Sequence, residues 1–225
     1  LVMSGDFFQL PPINRPGEQG GGFVVYSEAW QELQPALLYL ERQYRQSDEQ
    51  LLEILTALRN DNIRRHHAEA LLARTEVQPP DGDITELHTV NVDVDAINSQ
   101  KLAELVGEER RYQQTTTGSK VYVESLQRSV LAPSELVLKP GALVMAVKNS
   151  PQKLYANGSI GTVVDFEPLT DYPIVEFRDG QQVTMVPGMW ELRDGERKRA
   201  SISQVPLRLA WAITVHKSQG MTLDA

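Results

Sequence analysis

The sequence predicts an α/β fold, a parallel-sheet lobe into which a small all-β barrel is inserted. Strand-like and helix-like segments alternate over residues 84–105, the pattern of a parallel sheet covered by helices. Between 106 and 200, short β-prone segments follow one another without helices, separated by the turn signals KPG, NGS and RDG. The long apolar run PLRLAWAITV at 206–215 then suits a buried parallel strand, so the chain returns to its first sheet and the β segments form an insertion.

In chain order, LVMS at 1–4 reads as the end of a buried strand. Gly5 and Asp6 turn the chain, and Pro11 and Pro12 stiffen the next segment into an extended form. PGEQGGG at 16–22 is a loop, and FVVY at 23–26 reads as a short strand leading to Ser27, the N-cap of a helix holding Trp30 and Leu33. Residues 35–41 return to a strand pattern. Leu51, Leu52, Leu55 and Leu58 recur at helical spacing after Asp48 and Glu49, which predicts a helix over 47–59. A second helix over 61–73 carries Ala68, Leu71 and Leu72 on one face. PPDG at 79–82 breaks the chain before a strand at 84–91 and a helix over 92–105. The insertion's strands are expected at 122–125, 142–147, 161–166, 173–177 and 182–186.

With 225 residues and 41% hydrophobic content the chain can bury a sizeable core. Its apolar runs are too short for a membrane span and no signal peptide opens it, so a soluble intracellular protein is expected. The absence of cysteine excludes disulfides and cysteine-ligated zinc. Lys plus Arg number 22 against 30 Asp plus Glu, a net charge of −8, which argues against a protein that coats nucleic acid by charge alone. A narrow groove gripping a few phosphates through amides and hydroxyls is compatible with that balance. Both termini are expected to cut through structure, as in a fragment.

GDFFQLPP at 5–12 places a carboxylate and an amide three residues apart on a stiff loop at a strand's C-terminal end, the edge where open α/β sheets bind ligands. Gln9 there can donate to a phosphate oxygen and accept from water; a Pro-rich turn with a capping Asp6 fits the spacing equally. In AWAITVHKSQGMTLD at 210–224, Thr214, His216 and Ser218 alternate on a strand leading into a loop, three donors suited to a nucleic-acid backbone. Gly220 lets the chain turn close to a ligand, and Thr222 stands at a helix N-terminus. A Ser218–His216–Asp224 triad is disfavoured because no GxSxG elbow supports it. Arg45 in QYRQSD, between a strand and a helix, either points its fork at a phosphate or pairs with Asp48 or Glu49. His66 and His67 diverge on their helix, so a shared metal is not expected. The basic clusters RDGERKR and RRHH read as solvated surface, and Trp30, Trp190 and Trp211 as packing residues.

Taken in order, GDFFQLPP, QYRQSD, TVNVDVDAIN at 89–98, LKPGALVMAVKN at 138–149 with NGSIGTV at 157–163, and QVPLRLAWAITVHKSQGMTLD at 204–224 resemble the Pif-type DNA helicases, relatives of the RecD-like helicases of superfamily one. The resemblance implies a RecA-like fold with a Src-homology-3-like barrel. It divides the chain into the end of a first RecA-like lobe (1–34), a second lobe (35–105 and 201–225) and the inserted barrel (106–200). It implies that Gln9, with Asp6 in support, senses the γ-phosphate and that Arg45 is an arginine finger. Such a finger is worth roughly 10³–10⁵ in turnover. Gln219 and Gly220 would face the nucleotide. Thr89, Asn91, Thr214, His216, Lys217 and Ser218 would hold single-stranded DNA, with Asn98 near it. Single-stranded, duplex or forked DNA would be the partner, with no membrane and with a monomer expected. ATP and Mg2+ would serve the complete enzyme, but these 225 residues hold no GxxxxGK[ST] loop and no Asp-Glu magnesium box, since VVDFE separates the acids by Phe166. The isolated chain is therefore expected to be inactive as an ATPase. Two other classes remain in view: a non-catalytic single-strand-binding module and an interaction scaffold.

Overall fold

The computed structural model describes residues 2–10, 22–40, 48–77, 84–89 and 91–219. These fall in two units, Leu1–Pro79 and Pro80–Ala225. In the first, the Ser27 side chain accepts from the Trp30 amide at 3.2 Å and starts α1 (Glu28–Leu33). The expected strand at 23–26 is instead a 3-10 turn, Val24–Tyr26, closed by the Ser27 hydroxyl on the Val24 carbonyl at 2.7 Å. Residues 35–40 form no strand, and Leu38 and Leu40 are 92% and 100% exposed: no described segment offers them a ladder partner. Residue 41 lies outside the described residues.

Asp48 caps α2 (Glu49–Arg59) by accepting from the Leu51 amide at 3.0 Å. The helix buries Ile54 and Ala57, half-buries Leu51 and Leu52 and leaves Leu55 and Leu58 exposed, so only the first half of the expected leucine stripe lies toward its inner face. The next helix, α3 (Arg65–Ala73), starts later than residue 61 because Asp61 adopts φ 50 and ends the preceding turn. It buries His67, whereas Leu71 and Leu72 face solvent.

The second unit runs β1 (Glu86–His88), α4 (Asn91–Glu104), β2 (Arg110–Gln113), β3 (Thr115–Gly118), α5 (Lys120–Gln127), β4 (Glu135–Leu138), β5 (Leu143–Ala146), β6 (Ile160–Phe166), β7 (Pro173–Phe177), β8 (Gln182–Thr184), β9 (Gly188–Asp194), β10 (Arg197–Gln204), β11 (Leu207–Leu209), β12 (Ala212–Thr214) and the short α6 (Val215–Ser218). The expected strand at 122–125 lies inside α5. Val123 and Leu126, three residues apart, place one helical face on Ala200 and Ile202.

Four sheets form among the described residues. β1 and β12 pair in parallel; β11-β5-β6-β7-β8 make a five-stranded antiparallel sheet, β3-β10-β9 a three-stranded one, and β2 pairs β4. The all-β part is thus a set of open antiparallel sheets, and none of them closes into a barrel among the described residues. The apolar run at 206–215 is not one strand. Ala210 and Trp211 break it, so that β11 pairs antiparallel with β5 and only β12 joins the parallel pair.

The larger core cluster of this unit holds Leu138, Val144, Met145, Val163, Val175, Met185 and Leu207 fully buried, each worth about 1.5–3 kcal/mol of apolar burial. Gln204, 2% exposed, ties its segments together: its amide donates to the carbonyls of Tyr112 and Pro133, both at 3.0 Å, and its carbonyl accepts from the Val205 amide. Gly161 admits the close approach of β6 to β7, since a Cβ there would lie 2.6 Å from the Glu176 carbonyl. Among the described residues no helix is long and apolar enough to cross a membrane.

Candidate functional site

In the first unit the motif loop is organised around Asp6. Its carboxylate accepts from the Phe8 amide at 3.1 Å and, more weakly, from the Gln9 side chain at 3.5 Å, while the Asp6 carbonyl takes the Gln9 amide at 3.2 Å. Arg59, the last residue of α2, closes on the same carboxylate at 2.5 Å and covers the Phe8 ring with its guanidinium 4.9 Å from the centroid. The Arg59 hydrogen bond, and then the Phe8 amide, hold the Asp6 carboxyl below its ordinary range. Gln9 is exposed beside these contacts. Arg45 lies outside the described residues.

In the second unit the register pairs His88 with Thr214, so β1 and β12 end at one edge. Thr89 leaves that edge exposed, Asn91 opens α4 after it, and α6 begins beside it. The structure therefore brings Thr89 and the segment 214–218 together, which their separation in sequence does not disclose. It also corrects the local geometry: 215–218 is a helical turn, so Thr214, His216 and Ser218 do not alternate on a strand face. Thr214 is 3% exposed, His216 is open to solvent, and the Ser218 hydroxyl donates to the Val215 carbonyl at 2.9 Å. Gln219 is exposed at the end of the turn, and Gly220, Thr222 and Asp224 lie outside the described residues.

Asn98 does not face a ligand. It is 6% exposed, donates to the Ala212 carbonyl at 2.9 Å and accepts from the Ala212 amide at 3.1 Å, so it supports β12 from behind. Lys217 is half-buried; burial, and then the Arg208 charge, lower its pKa from the ordinary 10.5, against an opposing pull from Asp95. Trp211 is core, and Trp190 takes the Lys148 ammonium 4.7 Å from its ring centroid. Tyr155 stacks on Phe177. Three of the four cations of the 193–199 cluster are matched locally, Arg193 and Lys198 with Glu191 and Arg199 with Asp194.

An open cavity of about 570 Å³ lies between α2 and α3. Its wall holds a cluster unforeseen from helical geometry: His66 and His67 Nε2 each lie 3.2 Å from one Glu53 oxygen, because α2 delivers the carboxylate between them. The chemistry disfavours a metal there. His67 Nδ1 accepts the Arg64 amide at 3.1 Å, which puts the ring proton on Nε2, pointing at Glu53 and leaving that nitrogen no lone pair for an ion.

The parallel strand pair whose C-terminal edge carries Thr89 and the 214–218 turn belongs to an α/β fold of the RecA-like class, the fold shared with the solved structures that the chain matches. No protein-family model matches the chain. An ATP-dependent DNA helicase Pif1 of Psychrobacter is 35% identical over 283 residues, covering 100% of this chain and 43% of that protein. Human ATP-dependent DNA helicase PIF1 is 34% identical, covering 100% and 35%. Among solved structures, Bacteroides Pif1 with ADP-AlF4 matches at TM-score 0.68 and 29% identity, over 81% of this chain and 43% of that one. Candida albicans Pif1 matches at 0.67 and 31%, over 98% and 56%. Bacteroides Pif1 bound to single-stranded DNA matches at 0.52 and 29%, over 81% and 43%. The chain belongs to the Pif1 family. It spans under half the length of the two curated relatives described.

Proposed function

We propose that the chain is the DNA-gripping part of an ATP-dependent DNA helicase that moves 5′ to 3′ along single-stranded DNA and opens duplexes or forks. In this reading residues 1–34 end a first RecA-like lobe, 35–105 and 201–225 belong to a second, and 106–200 are inserted between. The observation that carries the reading is the parallel register of β1 and β12, which sets Thr89 beside the 214–218 turn at one edge. There Thr89, Asn91, Thr214, His216, Lys217 and Ser218 take the DNA backbone, chiefly through exposed Thr89 and His216. Asp6 positions Gln9 to read the nucleotide's terminal phosphate, with Arg45, Gln219 and Gly220 as its other contacts.

ATP, when bound, supplies the free energy for strand movement. The Asp6 carboxylate is already held by Arg59 and the Phe8 amide and does not offer itself to magnesium, so no step is assigned through the metal here. With no GxxxxGK[ST] loop in its 225 residues, the chain alone does not turn over ATP.

The test is fluorescence anisotropy of a labelled oligothymidine with the wild-type chain and with Thr89→Ala/His216→Ala. We expect the double variant to bind about tenfold more weakly. Equal binding by the two refutes the assignment of that edge. In a protein carrying the whole motor, DNA-stimulated ATP hydrolysis separates the helicase from a non-catalytic binding module, which binds the same strand without it.

A further inference from the structure

Between Ala200 and Val215 the sequence carries one charged residue, Arg208. It sits on β11 between the fully buried Leu207 and the half-buried Leu209, opposite Met145 of β5, and is itself 8% exposed. Its Nε is sealed from solvent without an acceptor, and its guanidinium makes no hydrogen bond or ion pair among the described residues. Leaving the Nε–H donor unanswered in a protein interior is unfavourable. A Leu or Met would fill the same space at no such cost.

A second cation shares the locality. Lys217, on α6, is half-buried and likewise has no hydrogen bond or ion pair among the described residues, and it lies close enough to Arg208 for the two like charges to repel. The acid that opposes both is Asp95, three residues before Asn98 on α4. It is exposed and forms no ion pair with either among the described residues. Arg208 and Lys217 thus share Asp95 as their opposing acid, and Lys217 follows His216 directly at the edge that carries Thr89.

We propose that Arg208 is a phosphate ligand, its guanidinium and the Lys217 ammonium together receiving one phosphodiester of the single strand that crosses the β1–β12 edge. The proposal rests on the DNA-binding reading above and adds to it a residue outside the motif. A strand phosphate is favoured over a nucleotide's because Thr89 and His216 stand at the same edge and the chain holds no glycine-rich phosphate loop. Arg208 then supplies the fork that fits two phosphate oxygens, and Lys217 a point charge.

The experiment compares the full 225-residue chain with Arg208→Met and Arg208→Lys by oligothymidine anisotropy over a potassium chloride series, with urea unfolding of each. For Arg208→Met we expect affinity to fall about tenfold and the log–log salt slope to become shallower by about 0.7, while the urea midpoint stays or rises because an unanswered buried cation is gone. Arg208→Lys keeps the slope and loses part of the affinity. An unchanged slope in Arg208→Met, or an affinity loss that follows a lowered midpoint, overturns the proposal and makes Arg208 structural. If the wild-type chain binds no oligothymidine, the DNA reading itself fails. Thermal stabilisation by inorganic phosphate or ATP that disappears in Arg208→Met would then keep the anion site and overturn its DNA occupant; no such stabilisation overturns both.

Discussion

Asn98→Ala removes the side chain that completes the parallel strand pair. Glu86 is registered opposite Ala212, and its amide donates to the Trp211 carbonyl at 2.8 Å. In a parallel ladder a residue bonds to the two neighbours of its partner, so the amide and carbonyl of Ala212 point away from β1. The Asn98 side chain answers both, standing in for a further strand, at 3.1 and 2.9 Å, with Ala212 wholly buried. Two buried backbone groups left unpaired cost about 1–3 kcal/mol each, and partial admission of water places the expected loss at about 2–4 kcal/mol. Urea unfolding followed by the fluorescence of Trp190 and Trp211 measures it, at an unchanged dependence on urea concentration. Hydrogen exchange at the Ala212 amide should accelerate by the corresponding factor. Asn98→Asp keeps the acceptor but turns a carboxylate toward the Ala212 carbonyl, so it should be worse at neutral pH than in acid. A loss below about 0.5 kcal/mol for Asn98→Ala, or DNA binding that weakens while stability and exchange stay as in wild type, would refute the structural assignment and return Asn98 to the ligand side.

Gly161→Ala should cost several times as much as an ordinary surface change, about 3 kcal/mol or more, since the new Cβ would meet the Glu176 carbonyl and Val175 at 2.6 Å; thermal unfolding reads it. Hydrogen bonds from His67 and then His66 hold the Glu53 carboxyl below its ordinary 4.5. A lowered carboxylate contributes stability above the ordinary value that is lost as pH falls through the lowered one, so Glu53→Gln should flatten that part of the acid unfolding curve. Lys217, lowered by burial and by Arg208, binds fewer protons folded than unfolded between its lowered value and 10.5, so its contribution to stability rises with pH there. DNA needs the charged form, so oligothymidine affinity should fall across the same window, and Lys217→Ala should remove that pH dependence.

The elements legible in the sequence were those whose signal is local. Ser27 caps the helix its residue type announces, Asp48, expected in the first turn of a helix over 47–59, stands at that helix's cap, and the strands at 143–146, 160–166 and 173–177 stand where apolar segments are bounded by turn residues. The failures occur where a distant partner decides. Residues 122–125 are β-prone by composition, yet Ala200 and Ile202 offer a surface that a helix covers with Val123 and Leu126. The apolar run at 206–215 has one composition and two destinations, β5 for its first half and β1 for its second, and nothing within the run encodes the break at Ala210 and Trp211.

The candidate site divides along the same line. A motif discloses the residues that touch a ligand, because their types and spacing are fixed by the ligand. It does not disclose what holds them, because a support is defined by a contact made from elsewhere. Arg59, 53 residues after Asp6, reads in sequence as a favourable cation in the last turn of a helix, and only the fold turns it onto the motif loop. Arg208 is the opposite case. A lone charge in a buried apolar strand breaks the local pattern, and that break is visible in the sequence itself. Its meaning needed the structure, which shows no acceptor for the Nε among the described residues and a second cation whose charge it feels. A buried cation with no partner among the described residues is one that a partner from outside can answer, and the partner proposed at this edge of the sheet is a negatively charged strand.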